Sequence, residues 1–131
     1  MRLLPDTHIL PWVMQDAPQL SRAARRLLND AEAIHVSSVS LWAIAIKSAL
    51  GKLLLDQAEL DAQLDQIGFS PLPVTRAHKR ALRELPQVHD LHGLHGDPFD
   101  RMLVAQAPSE PLHLLTHDRT LTACGDLILL A

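Results

Sequence analysis

Cysteine is nearly absent from this sequence. Cys124 stands alone among 131 residues, so no internal disulfide can form, and a single thiol fits a reducing cytoplasm. Tyrosine is missing, and two tryptophans and two phenylalanines make up the aromatic set. Broad base stacking on aromatic platforms is therefore not expected. No apolar run approaches the roughly 20 residues that a membrane helix needs. Arg2 is followed by Pro5 and Asp6 rather than by the apolar stretch of a secretory signal. Excess positive charge is lacking too. The formal net charge is −3, so the field of the whole protein does not attract nucleic acid, and an RNA partner would need a local basic patch. There is no internal repeat, low-complexity tract or linker.

What remains is enough for one core. The chain is 47% hydrophobic and 21% charged, which suits a single domain over residues 1–131 and argues against disorder. Strand and helix signals alternate. Arg2 to Pro5 reads as a strand and Thr7 to Gln15 as a helix that Pro11 should distort. Ser21 caps a helix over Arg22 to Asn29, and Ala33 to Val36 is a second strand. Val39 to Leu50 is apolar on almost every face and reads as a buried helix ended by Gly51, with Trp42 in the core. Asp56 caps Gln57 to Ile67, and Gly68 stops it. Phe69 to Val74 is a strand that Pro71 and Pro73 confine to a sheet edge. Thr75 caps Arg76 to Leu85, Pro86 to Gly96 is a loop, and Asp97 caps Pro98 to Ala107. Leu112 to Thr116 and Leu127 to Leu130 are the last strands. This alternation predicts an α/β three-layer sandwich, a parallel sheet with helices on both faces.

Ligands of such sheets bind beyond the carboxyl ends of the strands. Asp6 and Asp118 each come just after a predicted strand, and Asp97 and Asp100 open a predicted helix. Each has a plain structural role available. Asp97 before Pro98 is a strong helix start, Asp100 complements the helix dipole, and Asp6 and Asp118 can cap the helices next in the chain. The joint pattern says more. Carboxylates crowded a few Å apart repel by roughly 4 kcal/mol at an effective dielectric near 20, which a fold tolerates if a cation or protons intervene. Magnesium suits such a site, because it takes few carboxylates, keeps several waters and binds substrate phosphate. The cysteine and histidine content matches no structural zinc site.

The residues Arg2-Leu3-Leu4-Pro5-Asp6-Thr7-His8, Val36 to Lys47, Leu50-Gly51-Lys52-Leu53, His95 to Ala107 and Leu114 to Asp118 together resemble PIN-domain proteins. Within that group they look like the VapC-like toxins of VapBC-type toxin–antitoxin systems. Asp97-Pro98-Phe99-Asp100-Arg101 is the most specific phrase. The resemblance covers nearly the whole chain. It implies a five-stranded parallel sheet and a metal-dependent RNase, with Mg²⁺ or Mn²⁺ held by a cluster of acidic residues. Asp6, Asp100 and Asp118 match the metal ligands, with Asp97 close by as an outer ligand or cap. It also implies a homodimer, RNA such as transfer RNA as substrate, and a cognate VapB-like antitoxin. One position departs: where the family has glutamate after the tryptophan, this chain has Ala43. Two origins are open, a substitution that disarms a toxic nuclease and a naturally weakened member. Either way a ligand fewer should weaken or abolish activity and leave the fold intact.

Lys47 and Arg101 lie near the proposed cleft and are candidates for phosphate contact. Arg22, Arg25, Arg26 and Arg76, Lys79, Arg80, Arg83 fall at helical spacing and read as solvated faces. His89, His92 and His95 lie three apart beside Asp90 and read as a solvated loop, with a transition-metal site as the alternative. Three functions compete: the metal-dependent endoribonuclease, a non-catalytic PIN-like module that binds antitoxin or RNA, and a phosphoacceptor receiver domain. The last expects an acidic pair after the first strand, and Asp6 has no such neighbour.

Overall fold

The computed structural model describes residues 1–85, 97–125 and 127–131. Strands β1 (Arg2–Pro5), β2 (Ala33–Ser37), β3 (Ser70–Leu72), β4 (His113–Thr116) and β5 (Ile128–Leu130) form one sheet. Its order is β3-β2-β1-β4-β5, and every neighbouring pair is parallel. The helices among the described residues are α1 (Ile9–Gln15), α2 (Arg22–Asp30), α3 (Ser38–Ala49), α4 (Gln57–Ile67), α5 (Arg76–Glu84) and α6 (Pro98–Ser109), with a 3₁₀ helix at Arg119–Cys124. None of them is long and apolar enough to cross a membrane. The expected parallel sandwich is the observed one, and β3 is indeed an edge strand.

Neighbouring residues of a strand point to opposite faces, and β4 shows it. Leu114 joins Leu4, Leu103, Val104 and Leu112 on the α6 side, whereas Leu115 joins Ile9, Leu20 and Ala24 on the side of α1 and α2. Leu10, Val36, Ile44 and Leu60 bring α3 and α4 to a third cluster. The helix starts are polar, as the sequence implied. Ser21 Oγ accepts from Ala24 N at 3.0 Å, Asp56 from Glu59 N at 3.1 Å, and Thr75 Oγ1 from His78 N at 3.3 Å.

Some boundaries differ for physical reasons. The first helix starts at Ile9 rather than Thr7, because Asp6 accepts from the amides of His8 and Ile9 and holds Thr7 and His8 in a turn. Pro11 then falls in the first turn, where its missing N–H would have had no helical partner, so it fits there. The third strand is shorter than expected, with Pro71 inside it and Pro73 just beyond. The largest correction concerns α3. It is not buried all round: Trp42 is 64% exposed, and Ile46 and Leu50 are exposed as well. These three recur at intervals of four and share a face, while Val39, Ser40, Ala43 and Ile44 face inward. Trp42 therefore lies outside the core, edge-on to Phe99 at 5.2 Å between ring centroids. Of the basic clusters, Arg25 is tied down, paired with Asp16 and donating to Ala17 O at 2.9 Å, while the other members are exposed.

A buried polar chain joins the sheet to α5 and α6. Ser37 Oγ donates to Gln106 Oε1 at 2.7 Å, and Gln106 Nε2 lies 3.3 Å from His78 Nδ1. Thr75 N also donates to Nδ1, at 3.1 Å, so the ring proton belongs on Nε2, which meets Glu110 Oε2 at 2.6 Å. Ser37, His78 and Gln106 are all fully buried. Gln106→Leu leaves the Ser37 hydroxyl proton without an acceptor, though its oxygen still accepts from Val39 N, and removes a donor to His78. It should lower stability by about 2 kcal/mol, read as a fall in the urea midpoint with an unchanged slope.

Candidate active site

The strand order places the site. The chain runs outward from β1 through β2 to β3, then returns to lay β4 on the other side of β1. That reversal is the switch point where open α/β sheets leave a crevice. Asp6 comes directly after β1, and His117 and Asp118 directly after β4. The register pairs Pro5 with Leu115, so Asp6 and Thr116 come next and meet. Asp6 N donates to Leu115 O at 2.9 Å, and Thr116 Oγ1 donates to Asp6 Oδ2 at 2.5 Å. The other oxygen, Oδ1, accepts from His8 N at 2.9 Å and Ile9 N at 3.1 Å. Asp6 is only 2% exposed. It closes the turn that leads into α1 and lies buried at the end of β1. Thr116 Oγ1 in turn accepts from Asp118 N at 3.1 Å, which ties the two aspartate positions together.

Asp97 is the cap that the sequence predicted. Its Oδ1 accepts from Phe99 N at 2.8 Å and Asp100 N at 3.4 Å. Asp118 caps the 3₁₀ helix, accepting from Thr120 N at 3.0 Å and Thr120 Oγ1 at 2.6 Å.

Two cavities flank this point. The smaller, about 60 Å³, is lined by Thr7, His8, Ala43, Lys47, Asp97 and Asp100, together with Ile46 and Phe99. It has room for a few waters or a small hydrated ion. Ala43, 4% exposed, forms part of its α3 wall. The position that the resemblance assigns to glutamate therefore faces the same space as Asp97 and Asp100. The second cavity, about 580 Å³, is lined by His8, His117, Asp118 and Arg119 among others. His8 belongs to both and forms the ridge between them, with its Nε2 3.5 Å from Lys47 Nζ. Asp97, Asp100, Ala43 and Lys47 thus come together. Asp118 lies across the ridge, and Asp6, buried, lines neither cavity. Arg101, half-buried, lines neither cavity. The histidine loop at His89, His92 and His95 lies outside the described residues.

Among the described residues, no three His, Cys, Asp or Glu side chains stand close enough to hold one ion. Asp97 and Asp100 offer oxygen donors, and the space beside them is small, with Ala43, Ile46 and Phe99 making much of its wall apolar. That fits a hard cation held sparsely, by one or two carboxylates with water and substrate phosphate, and not a closed protein cage.

Three contributors were not singled out from the sequence. Thr116 is a polar residue ending the apolar strand His113–Thr116, and that position was the available signal. Thr7 and His8 come directly after Asp6, within the turn it caps.

Fold and site together define an open α/β protein with acidic side chains gathered at its switch point. The model of the PIN domain matches residues 3–126, and the chain belongs to that family. A comparison with curated proteins gives no match. Among solved structures, the chain is similar to VapBC2 from Rickettsia felis bound to a DNA fragment from their promoter. There the TM-score is 0.69 at 16% identity, covering 100% of this chain and 98% of that one. It is also similar to FitAcB from Neisseria gonorrhoeae, with TM-score 0.68, 19% identity and 97% and 96% covered. A toxin–antitoxin complex from Klebsiella pneumoniae gives 0.61 at 15% identity, with 97% and 95% covered. At these identities the likeness is one of fold.

Proposed function

We propose that this chain is a metal-dependent endoribonuclease toxin of a toxin–antitoxin system, one domain over residues 1–131, with activity weakened or abolished by Ala43. PIN domains are generally nucleases, so membership itself puts the chain in a nuclease family. The observation that carries the finer reading is the small cavity at the switch point, where Asp97 and Asp100 share a wall with Lys47 and Ala43.

On this reading Asp100 would hold Mg²⁺ or Mn²⁺ through water and substrate phosphate, with Asp97 beside it starting α6. Asp6 and Asp118, the other ligands that the resemblance implies, form no three-ligand set with it among the described residues. When bound, the ion lowers the pKa of a water and neutralises phosphodiester charge. The chain's own residues do the rest. Lys47 supplies positive charge at the cavity wall, and Arg101 supplies it one residue beyond Asp100. Asp6, with both oxygens engaged, keeps Thr7 and His8 in the turn that edges the cavity. The substrate on this reading is RNA such as transfer RNA.

The partners on this reading are a cognate VapB-like antitoxin and a second copy of the chain, in the cytoplasm. Its support is the similarity to structures described as toxin–antitoxin complexes. A groove of about 550 Å³ lined by Val39, Trp42, Val74, Leu82 and Met102, almost wholly apolar, also supports a protein partner.

A second reading has its own observation. The absence of three convergent ligands among the described residues, with Ala43 in the cavity wall, favours a PIN-like module that binds RNA or antitoxin without cutting. Incubating total transfer RNA with this chain and with Ala43→Glu, in Mg²⁺, Mn²⁺ and EDTA, separates the two. Cleavage by either protein that EDTA stops supports the nuclease, and no cleavage by both under every condition overturns it.

A further inference from the structure

The larger cavity has a use that the acidic site does not explain. Its wall carries three rings in contact. Trp12 stands edge-on to His117 at 5.0 Å between centroids and 82° between planes, and His8 lies 6.2 Å from Trp12 at 43°. His8 and Trp12 are four apart, at the spacing that brings side chains together along a helix. Trp12 is half-buried, backed by the cluster of Ile9, Leu20 and Leu115, so the indole is held in place while still lining the cavity. His8 and His117 are exposed, and Arg119 stands on the same wall. The volume, about 580 Å³, is that of an ordinary small-ligand site. Flat rings attract a flat ring, and a guanidinium attracts phosphate. Asp118 also lines this cavity, and no three-ligand metal set forms among the described residues.

We propose that this cavity is a nucleobase subsite, taking the base of a nucleotide adjacent to the scissile phosphate against Trp12, His8 and His117, with Arg119 on the backbone phosphate. It rests on the RNA reading above and deepens it. His8 lines both cavities, so a strand laid across that ridge brings one phosphate to Asp97 and Asp100 and a neighbouring base to the indole. The scarcity of aromatics excludes a long stacking platform, and a single framed base needs only these three rings.

The chain has two tryptophans, so Trp42→Phe leaves Trp12 as the sole indole reporter. The test titrates that variant, in EDTA so that nothing is cut, with a short oligoadenylate and with an abasic strand of equal length. The base-bearing strand should quench Trp12 saturably and bind at least about fivefold more tightly than the abasic one. His117→Ala should weaken only the base-bearing strand. Arg119→Ala should weaken both and reduce the salt slope by about one. Equal affinity for the two strands, or binding that leaves Trp12 emission unchanged, overturns the subsite while the nuclease reading stands. Absence of any RNA binding overturns the subsite, and the nuclease reading is then decided by the cleavage assay in Mg²⁺ and Mn²⁺. Quenching by oligoglutamate as strong as by RNA assigns the cavity to an acidic peptide and also overturns the proposal.

Discussion

Ala43→Glu should raise metal-supported RNA cleavage by at least about 10- to 100-fold, the contribution typical of groups that merely support metal ligands. The geometry behind this is direct. Ala43 is buried on α3 in the wall of the cavity that Asp97 and Asp100 line. A glutamate there costs little in helix propensity and brings a third carboxylate to the same space. Without a cation that is unfavourable, since like charges about 4 Å apart repel by roughly 4 kcal/mol at an effective dielectric near 20. The variant should therefore melt below the parent in EDTA and respond more strongly to metal. At a hundredfold excess over its Kd, a bound ion adds about 2.7 kcal/mol, or roughly 10 °C in Tm for a chain of this size. Scanning calorimetry with and without Mg²⁺ reads the shift, and transfer RNA cleavage reads the activity. Ala43→Gln has nearly the same shape and no charge, and should show neither effect. If the glutamate variant stays folded, gains no metal response and cuts no faster than the parent, the cavity is not the metal site.

The fold was legible because local signals and long-range pattern agreed. Ser21, Asp56, Thr75 and Asp97 mark helix starts whatever their tertiary partners, since a first turn always leaves amides to satisfy. The edge position of β3 could be read from Pro71 and Pro73. The site was legible only as a set of residue types in similar contexts. That Asp97, Asp100 and Ala43 share one cavity, with Asp118 across a histidine ridge, depends on the return of β4 to the side of β1, and no local signal encodes that crossing. Trp42 was misread for a related reason. A helix apolar all round is normally buried, but the Trp42, Ile46 and Leu50 stripe is a second apolar face, turned outward. Hydropathy registers both faces and does not say which is covered. Thr116 escaped notice because its importance comes from register: one residue earlier or later, its hydroxyl would not meet Asp6.

That meeting gives Asp6 two separable duties, and its variants should divide them. Asp6→Ala removes the acceptor for the His8 and Ile9 amides in the turn that leads into α1, worth about 1 kcal/mol. It also strands the Thr116 hydroxyl, which is fully buried, at about 1–3 kcal/mol. The expected loss is about 3 kcal/mol, seen as a lower urea midpoint with an unchanged slope. Asp6→Asn keeps the Oδ1 acceptor, and its amide can donate to Thr116 Oγ1, so its loss should be about 1 kcal/mol. Both variants lack the charge, so metal-supported cleavage should disappear in both, measured in the Ala43→Glu background where the signal is largest. Thr116→Val provides the complement. It removes the bond from Thr116 Oγ1 to Asp6 Oδ2 and the acceptor for Asp118 N, yet leaves the carboxylate. It should cost stability comparable to that of Asp6→Asn and retain more of the cleavage. Were Asp6→Asn to cut as well as its parent, Asp6 would be a cap alone, and the acids at Asp100 and Asp118 would have to act without it.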